Sequence, residues 1–139
     1  MKSKAPLSLM EQLIMLVVFA LAAALCLQVF VLSSHVSRNS EIQSRAVTAV
    51  QNTAEVVKGC HGDFEDISRQ LGGTSVADCW QLGYDENWNP ISPDRACYLV
   101  NITPVPTDLP TLGSATVSAH SENGTLFSVT VSWQEALYE

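Results

Sequence analysis

Glu11 is the side chain whose position poses a chemical question. It stands two residues before an apolar run, Leu13 to Leu32, in which the only clearly polar side chain is Gln28. Lys2 and Lys4 precede it. An ionised carboxylate at the mouth of an apolar helix is costly in hydrocarbon unless a cation meets it. Two readings follow. Glu11 is either a solvated acid favoured by the positive end of a helix dipole and by the membrane interface, or a carboxylate held among neighbouring membrane helices by a cationic partner.

The remaining reactive residues form no catalytic constellation. Ser, His and Asp all occur, but there is no G-x-S-x-G, no H-E-x-x-H and no Gly-rich phosphate loop. Cys26 lies inside the apolar run and reads as a small packed residue. Cys60, Cys79 and Cys97 follow it, an odd number that allows at most one intramolecular bridge. Cys79 and Cys97 flank a predicted β-meander and are the expected pair among three possible pairings, a link worth roughly 3 kcal/mol by loop-closure entropy. Metal ligation would want C-x-x-C or paired His spacings, and the chain has neither, so no metal or cofactor is expected. His35, His61 and His120 stand apart. Asp63, Glu65 and Asp66 lack the Gly and terminal Glu of a calcium loop and read as helix-capping acids. Asn101-Ile102-Thr103 and Asn123-Gly124-Thr125 are formal glycosylation sequons.

The elements that must position these residues begin with the apolar run. A helix rises about 1.5 Å per residue and a bilayer core is about 30 Å thick, so Leu13 to Leu32 is long enough to span a membrane. Secretory signal cores are shorter, about 7–15 residues, although Ser33 and Ser34 offer small residues at which a signal could be cut. A lipoprotein cut before Cys26 fails because Leu25 is bulky. Lys2 and Lys4 place the N-terminus in the cytoplasm by the positive-inside bias, and Ser33 onward outside. The chain of 139 residues carries a net charge of −7 and no cluster of Lys and Arg, which argues against nucleic acid as a partner.

From Ser33 to Lys58 there is neither Pro nor Gly. Val36, Ile42, Ala46, Val47, Val50, Ala54 and Val57 recur mostly at steps of three or four, one apolar stripe on a helix that continues the membrane segment. Gly59 supplies the stop. The expectation is one helix of about 45 residues, with a break at Ser33-Ser34 as the alternative. Asp63 caps a short helix through Leu71. Beyond it the period becomes two: Cys79 to Tyr84, a turn at Asp85-Glu86-Asn87, a return over Trp88 to Ser92, then Ala96 to Ile102. Pro104, Pro106 and Pro110 mark a loop. Ala115 to Ala119 leads to a turn centred on Asn123-Gly124, and Phe127, Val129, Val131 and Trp133 alternate with Ser128, Thr130 and Ser132. A sheet with one apolar face needs a cover, and the helix stripe is the available one. The fold class is therefore α+β, a long N-terminal helix packed on a small antiparallel sheet, with Trp133 expected near Val50, Ala54 or Val57. The divisions are 1–12, a short basic leader and the start of the helix; 13–32, the membrane segment; 33–59, the amphipathic continuation; and 60–139, an extracytoplasmic α+β domain.

A short basic leader, then Leu7-Ser8-Leu9-Met10-Glu11 and an apolar helix, resembles type IV pilins and type II secretion pseudopilins. Laying Glu11 on that family's glutamate puts the cleavage point after Pro6 and the new N-terminus at Leu7. Pro6 stands where the family has Gly or Ala, and Leu7 where it has Phe or Met. The resemblance implies a single-pass protein of the cell membrane that is not an enzyme. Its partners would be other pilin-like subunits met through the apolar helix, and a prepilin peptidase that removes the leader. Glu11 would pair with the N-terminal amine of a neighbour. The alternative is a single-pass protein with an extracytoplasmic binding or structural module that joins no filament.

Overall fold

The computed structural model describes residues 4–135. Lys2, half of the topology argument, therefore lies outside the described residues. The chain divides into two compact units, one ending at Glu41 and the other beginning at Ile42.

One helix, α1 (Ala5–Gly59), passes through both. It is longer than the sequence predicts because it begins before the apolar run, and it does not break at Ser33-Ser34. Pro6 falls in its first turn, where a missing N–H costs nothing. The Ser8 N–H already donates to the Lys4 carbonyl at 3.2 Å. Nothing between Leu7 and Lys58 interrupts the ladder, since Pro and Gly are both absent there.

In the second unit α1 buries Ala46, Val50, Thr53, Ala54 and Val57. This is the predicted stripe with two changes. Val36 is 60% exposed and belongs to the first unit, so the buried stripe starts near Ile42. Thr53 is buried although polar, because its Oγ1 donates to the Ala49 carbonyl at 2.8 Å and leaves the methyl to the core. The helix stops at Gly59, but the left-handed residues that turn the chain are His61 and Gly62. The Gly62 N–H donates to the Val57 carbonyl at 3.0 Å.

α2 (Phe64–Leu71) is capped by Asp63, whose side chain accepts from the Glu65 N–H at 2.9 Å. Glu65 and Asp66 both hold Arg69, at 2.7 and 3.0 Å. The acid cluster is accounted for by this cap and these pairs.

The sheet comprises β1 (Thr74–Val76), β2 (Cys79–Tyr84), β3 (Pro90–Ile91), β4 (Tyr98–Pro104), β5 (Leu112–Ser121) and β6 (Gly124–Gln134). All pairings are antiparallel, in the order β1-β2-β4-β5-β6, with β3 a short partner of β2. β1 has no counterpart in the sequence reading. Its three residues are all exposed and pair only with β2, so they carry no apolar period. A 3₁₀ turn, Pro93–Arg95, occupies the predicted Pro93-Asp94 bend.

Register places one apolar row under α1. Trp80 faces Ile102, Leu82 faces Val100, Ile102 faces Val117, and Ala115 faces Val131. These residues, with Ile67 of α2 and the α1 stripe, form a single core. Each fully buried Val or Ile stabilises by roughly 1.5–3 kcal/mol. Trp80, not Trp133, is the aromatic at its centre. It is fully buried, and its indole N–H donates to the Ser68 hydroxyl at 3.1 Å, tying β2 to α2. Trp133 is half-buried and lies over Gly62 and Gly113, either of which would drive a Cβ into the ring. Trp133 is packed against the core that contains the Val50–Val57 stripe, as a partly buried neighbour rather than as its centre, and among the described residues its indole N–H has no acceptor.

The last hairpin also departs from expectation. Ser121 pairs with Gly124, so the turn is centred on Glu122-Asn123, and neither has a positive φ. Only Gly124 does, at 124°. The glycine is used just after the turn rather than inside it, and a bulge follows between Ala119 and His120.

Candidate functional site

The candidate site is the first third of α1. Among the described residues, α1 is the one helix long and apolar enough to cross a membrane. Its most apolar window has a mean hydropathy of 2.8, and none of that window is buried. The core helix of a soluble protein would bury such a window. Here Phe19 and Phe30 are 73% and 74% exposed. So large a bare apolar surface demands a covering, by lipid or by other helices.

Glu11 is exposed and has no hydrogen-bond or ion-pair partner among the described residues. Its place in the helix bears on the helix-dipole part of the first reading. α1 starts at Ala5 and carries no acid in its first turn. The attraction between a carboxylate and a helix N-terminus fades within that turn, and the four unsatisfied N–H groups are used up before Glu11. Helix capping therefore does not explain this carboxylate. Pro6 and Leu7, the two residues beside the expected cut, are both inside the first turn, with Leu7 80% exposed.

The cysteines are not brought together, and all four are free. Cys79 opens β2, with its sulfur 3.8 Å from the Thr103 hydroxyl. Cys97 precedes β4 at the other end of the same ladder, its N–H donating to the Tyr84 carbonyl at 2.9 Å. The six residues from Cys97 to Thr103 span about 20 Å of strand, whereas a disulfide needs Cα atoms roughly 4.4–6.8 Å apart. The expected Cys79–Cys97 bridge is therefore not formed. β2 and β4 run antiparallel with one cysteine at the start of each, which puts the two at opposite ends of the ladder. Cys60 is elsewhere again, just past α1, where the Gln70 amide donates to its sulfur at 3.2 Å. Burial, and then the carboxylates of Asp66 and Asp63, push the Cys60 thiol pKa up, which disfavours the thiolate. Unfolding the protein without reductant should leave all four cysteines open to alkylation, read by intact mass. A Cys79–Cys97 linked peptide would be incompatible with the β2–β4 register.

The histidines remain separate. His120 lies between hydroxyls, Ser118 at 2.8 Å from Nε2 and Thr125 at 3.0 Å from Nδ1, with no acid completing a relay. His61 serves the left-handed turn after α1. One arrangement went unread in the sequence. Trp88, with φ at 61°, stacks on Tyr98 at 4.3 Å and leans on Tyr84 at 5.5 Å. Asp85 holds that loop by accepting from the Asn87 and Asn89 N–H groups, both at 2.9 Å. The Asn89 N–H, ahead of the other contributions, keeps the Asp85 carboxyl below the usual range. Asp-x-x-Trp directly after a strand that ends in Tyr84, with Tyr98 opening a later strand, was the available signal.

No protein-family model, no curated protein and no solved structure matches the chain.

Proposed function

We propose that the chain is a membrane-anchored subunit of a pilus-like or type II secretion-like assembly, similar to a minor pilin or pseudopilin. The observation that carries this reading is Glu11: a carboxylate without a partner among the described residues, past the first turn of α1, at the mouth of an uncovered apolar helix. In such an assembly the apolar helices of neighbouring subunits cover one another. The carboxylate docks beside the N-terminal ammonium of a neighbour and thereby sets the register between subunits. Lys2 and Lys4 hold the N-terminus in the cytoplasm, and the domain from residue 60 lies outside the membrane. The reading assigns the chain no enzymatic activity.

The ammonium exists at the right place only if the leader is removed after Pro6, which makes Leu7 the first residue. Pro6 itself favours the second reading, an uncut anchor carrying an external module, because proline is a poor residue at a peptidase cut. Intact mass of the protein extracted from its native membrane decides between them. A chain beginning at Leu7 is the expected result. A chain still carrying Lys2 would leave Glu11 without its cation and overturn the assembly reading.

A further inference from the structure

Gln28 is the one polar side chain in the apolar run, and neither Glu11 nor the external domain uses it. It is exposed, beside Leu27, Val31, Leu32 and His35 in a shallow groove on α1. Among the described residues its amide has no hydrogen-bond partner. In hydrocarbon that amide leaves two donors and an acceptor unmet, an arrangement that favours finding another polar group.

Its neighbours along the helix say how such a group could arrive. Val17, Leu21, Ala24, Gln28, Val31 and His35 follow one another at alternating steps of four and three. That spacing is the row, or seam, on Gln28's side of the helix that would face a partner packed alongside in a left-handed fashion. Ala24, one turn before Gln28, lets two backbones approach. Cys26, at about 100° per residue, falls on the opposite side of the helix from this seam.

We propose that Gln28 pairs the apolar helices of two copies of this chain in parallel, each amide N–H donating to the other's carbonyl oxygen. Two considerations select a second copy as the occupant. An amide is its own complement, carrying donor and acceptor together. Two copies inserted in the same direction also hold Gln28 at the same depth, so the matching group is supplied by the sequence itself. A polar side chain on such a seam fixes register as well as adding attraction. The inference rests on the reading that α1 spans a membrane; it does not require leader removal or Glu11.

The test uses the full chain, purified and reconstituted in phosphatidylcholine bilayers, with energy transfer between fluorescent proteins fused after Glu139. Wild type should self-associate, Gln28→Leu should weaken that association about tenfold, and Gln28→Asn should retain most of it. Under oxidant, Ala24→Cys should give a covalent dimer that the native Cys26 does not. Glu11→Gln should pair as wild type does, so that a failure of the assembly reading leaves this result standing. Unchanged association in Gln28→Leu would mean that the amide instead reaches the headgroups, and would overturn the proposal. So would a dimer linked through Cys26 as readily as through position 24, or pairing lost in Glu11→Gln but kept in Gln28→Leu.

Discussion

If the chain assembles as proposed, Glu11→Gln is expected to abolish incorporation among like subunits, while membrane insertion and the fold of the α+β domain stay intact. The substitution keeps the shape and hydrogen-bonding capacity of the side chain and deletes its charge. Leaving a buried partner charge unpaired costs about 3–5 kcal/mol, which corresponds to a loss of roughly two to four orders of magnitude in subunit affinity. The effect is confined to assembly because Glu11 is exposed, has no hydrogen-bond or ion-pair partner among the described residues, and lies far in sequence from the first buried residue of α1, Ala46. Glu11→Asp keeps the charge on a shorter stem and should fall between. Site-specific crosslinking to partner subunits in the native membrane measures all three. Equal crosslinking for wild type and Glu11→Gln would reduce Glu11 to an acid that merely happens to lie near the membrane surface.

The second large effect is expected at Trp80. Trp80→Ala removes the largest fully buried side chain and the indole N–H that binds Ser68. Phe/Trp→Ala changes in cores typically cost about 3–5 kcal/mol, a large share of the 5–15 kcal/mol by which a small domain is stable. Gly73 should make the loss worse, because its backbone lies against the Trp80 ring and has no side chain to fill the space. Trp80→Phe keeps much of the volume and loses the hydrogen bond, for roughly 1–2 kcal/mol. Denaturant titration of the detergent-solubilised chain reads both. A Trp80→Ala midpoint within the range of an exposed substitution would mean that β2 does not lie under α1. This variant should still insert in membranes, which separates it from Glu11→Gln.

What could be read from the chain in advance follows from how local each signal is. The Asp63 cap, the limits of Cys79–Tyr84, and the alternation from Phe127 to Trp133 depend on neighbours a few residues away, and they appear as expected. The Val50–Val57 stripe is equally local, since helical spacing alone draws it. Quantities set by pairing were not legible. The distance between Cys79 and Cys97 depends on which residue of β4 faces which residue of β2, and nothing in either segment states that. The same holds for Trp80 against Trp133: both end or begin apolar alternations, and only the order of strands makes one central and the other peripheral. Asn123-Gly124 misled for a different reason. A single positive φ at Gly124 suffices when the two turn residues before it are ordinary, so the preferred dipeptide was present without forming the turn it favours. At the candidate site, Glu11 was visible in the sequence, but the start of α1 at Ala5 was not, and that start is what removes capping as an explanation.

The order of the elements along the chain has a consequence for biogenesis. The ribosome delivers α1 first and the strands that cover its stripe last, with Val131 among the final core residues to emerge. At 5–20 residues per second, roughly 4–15 s separate the synthesis of Val57 from that of Val131. Throughout that interval Ala46, Val50, Ala54 and Val57 are present without their full cover. Helix α2 and strands β1 to β4 arrive in between, and β5 and β6 close as a local hairpin that needs no distant partner to begin. The domain therefore completes itself around a helix that has been waiting, and the vulnerable species during synthesis is the amphipathic half of α1 rather than the sheet.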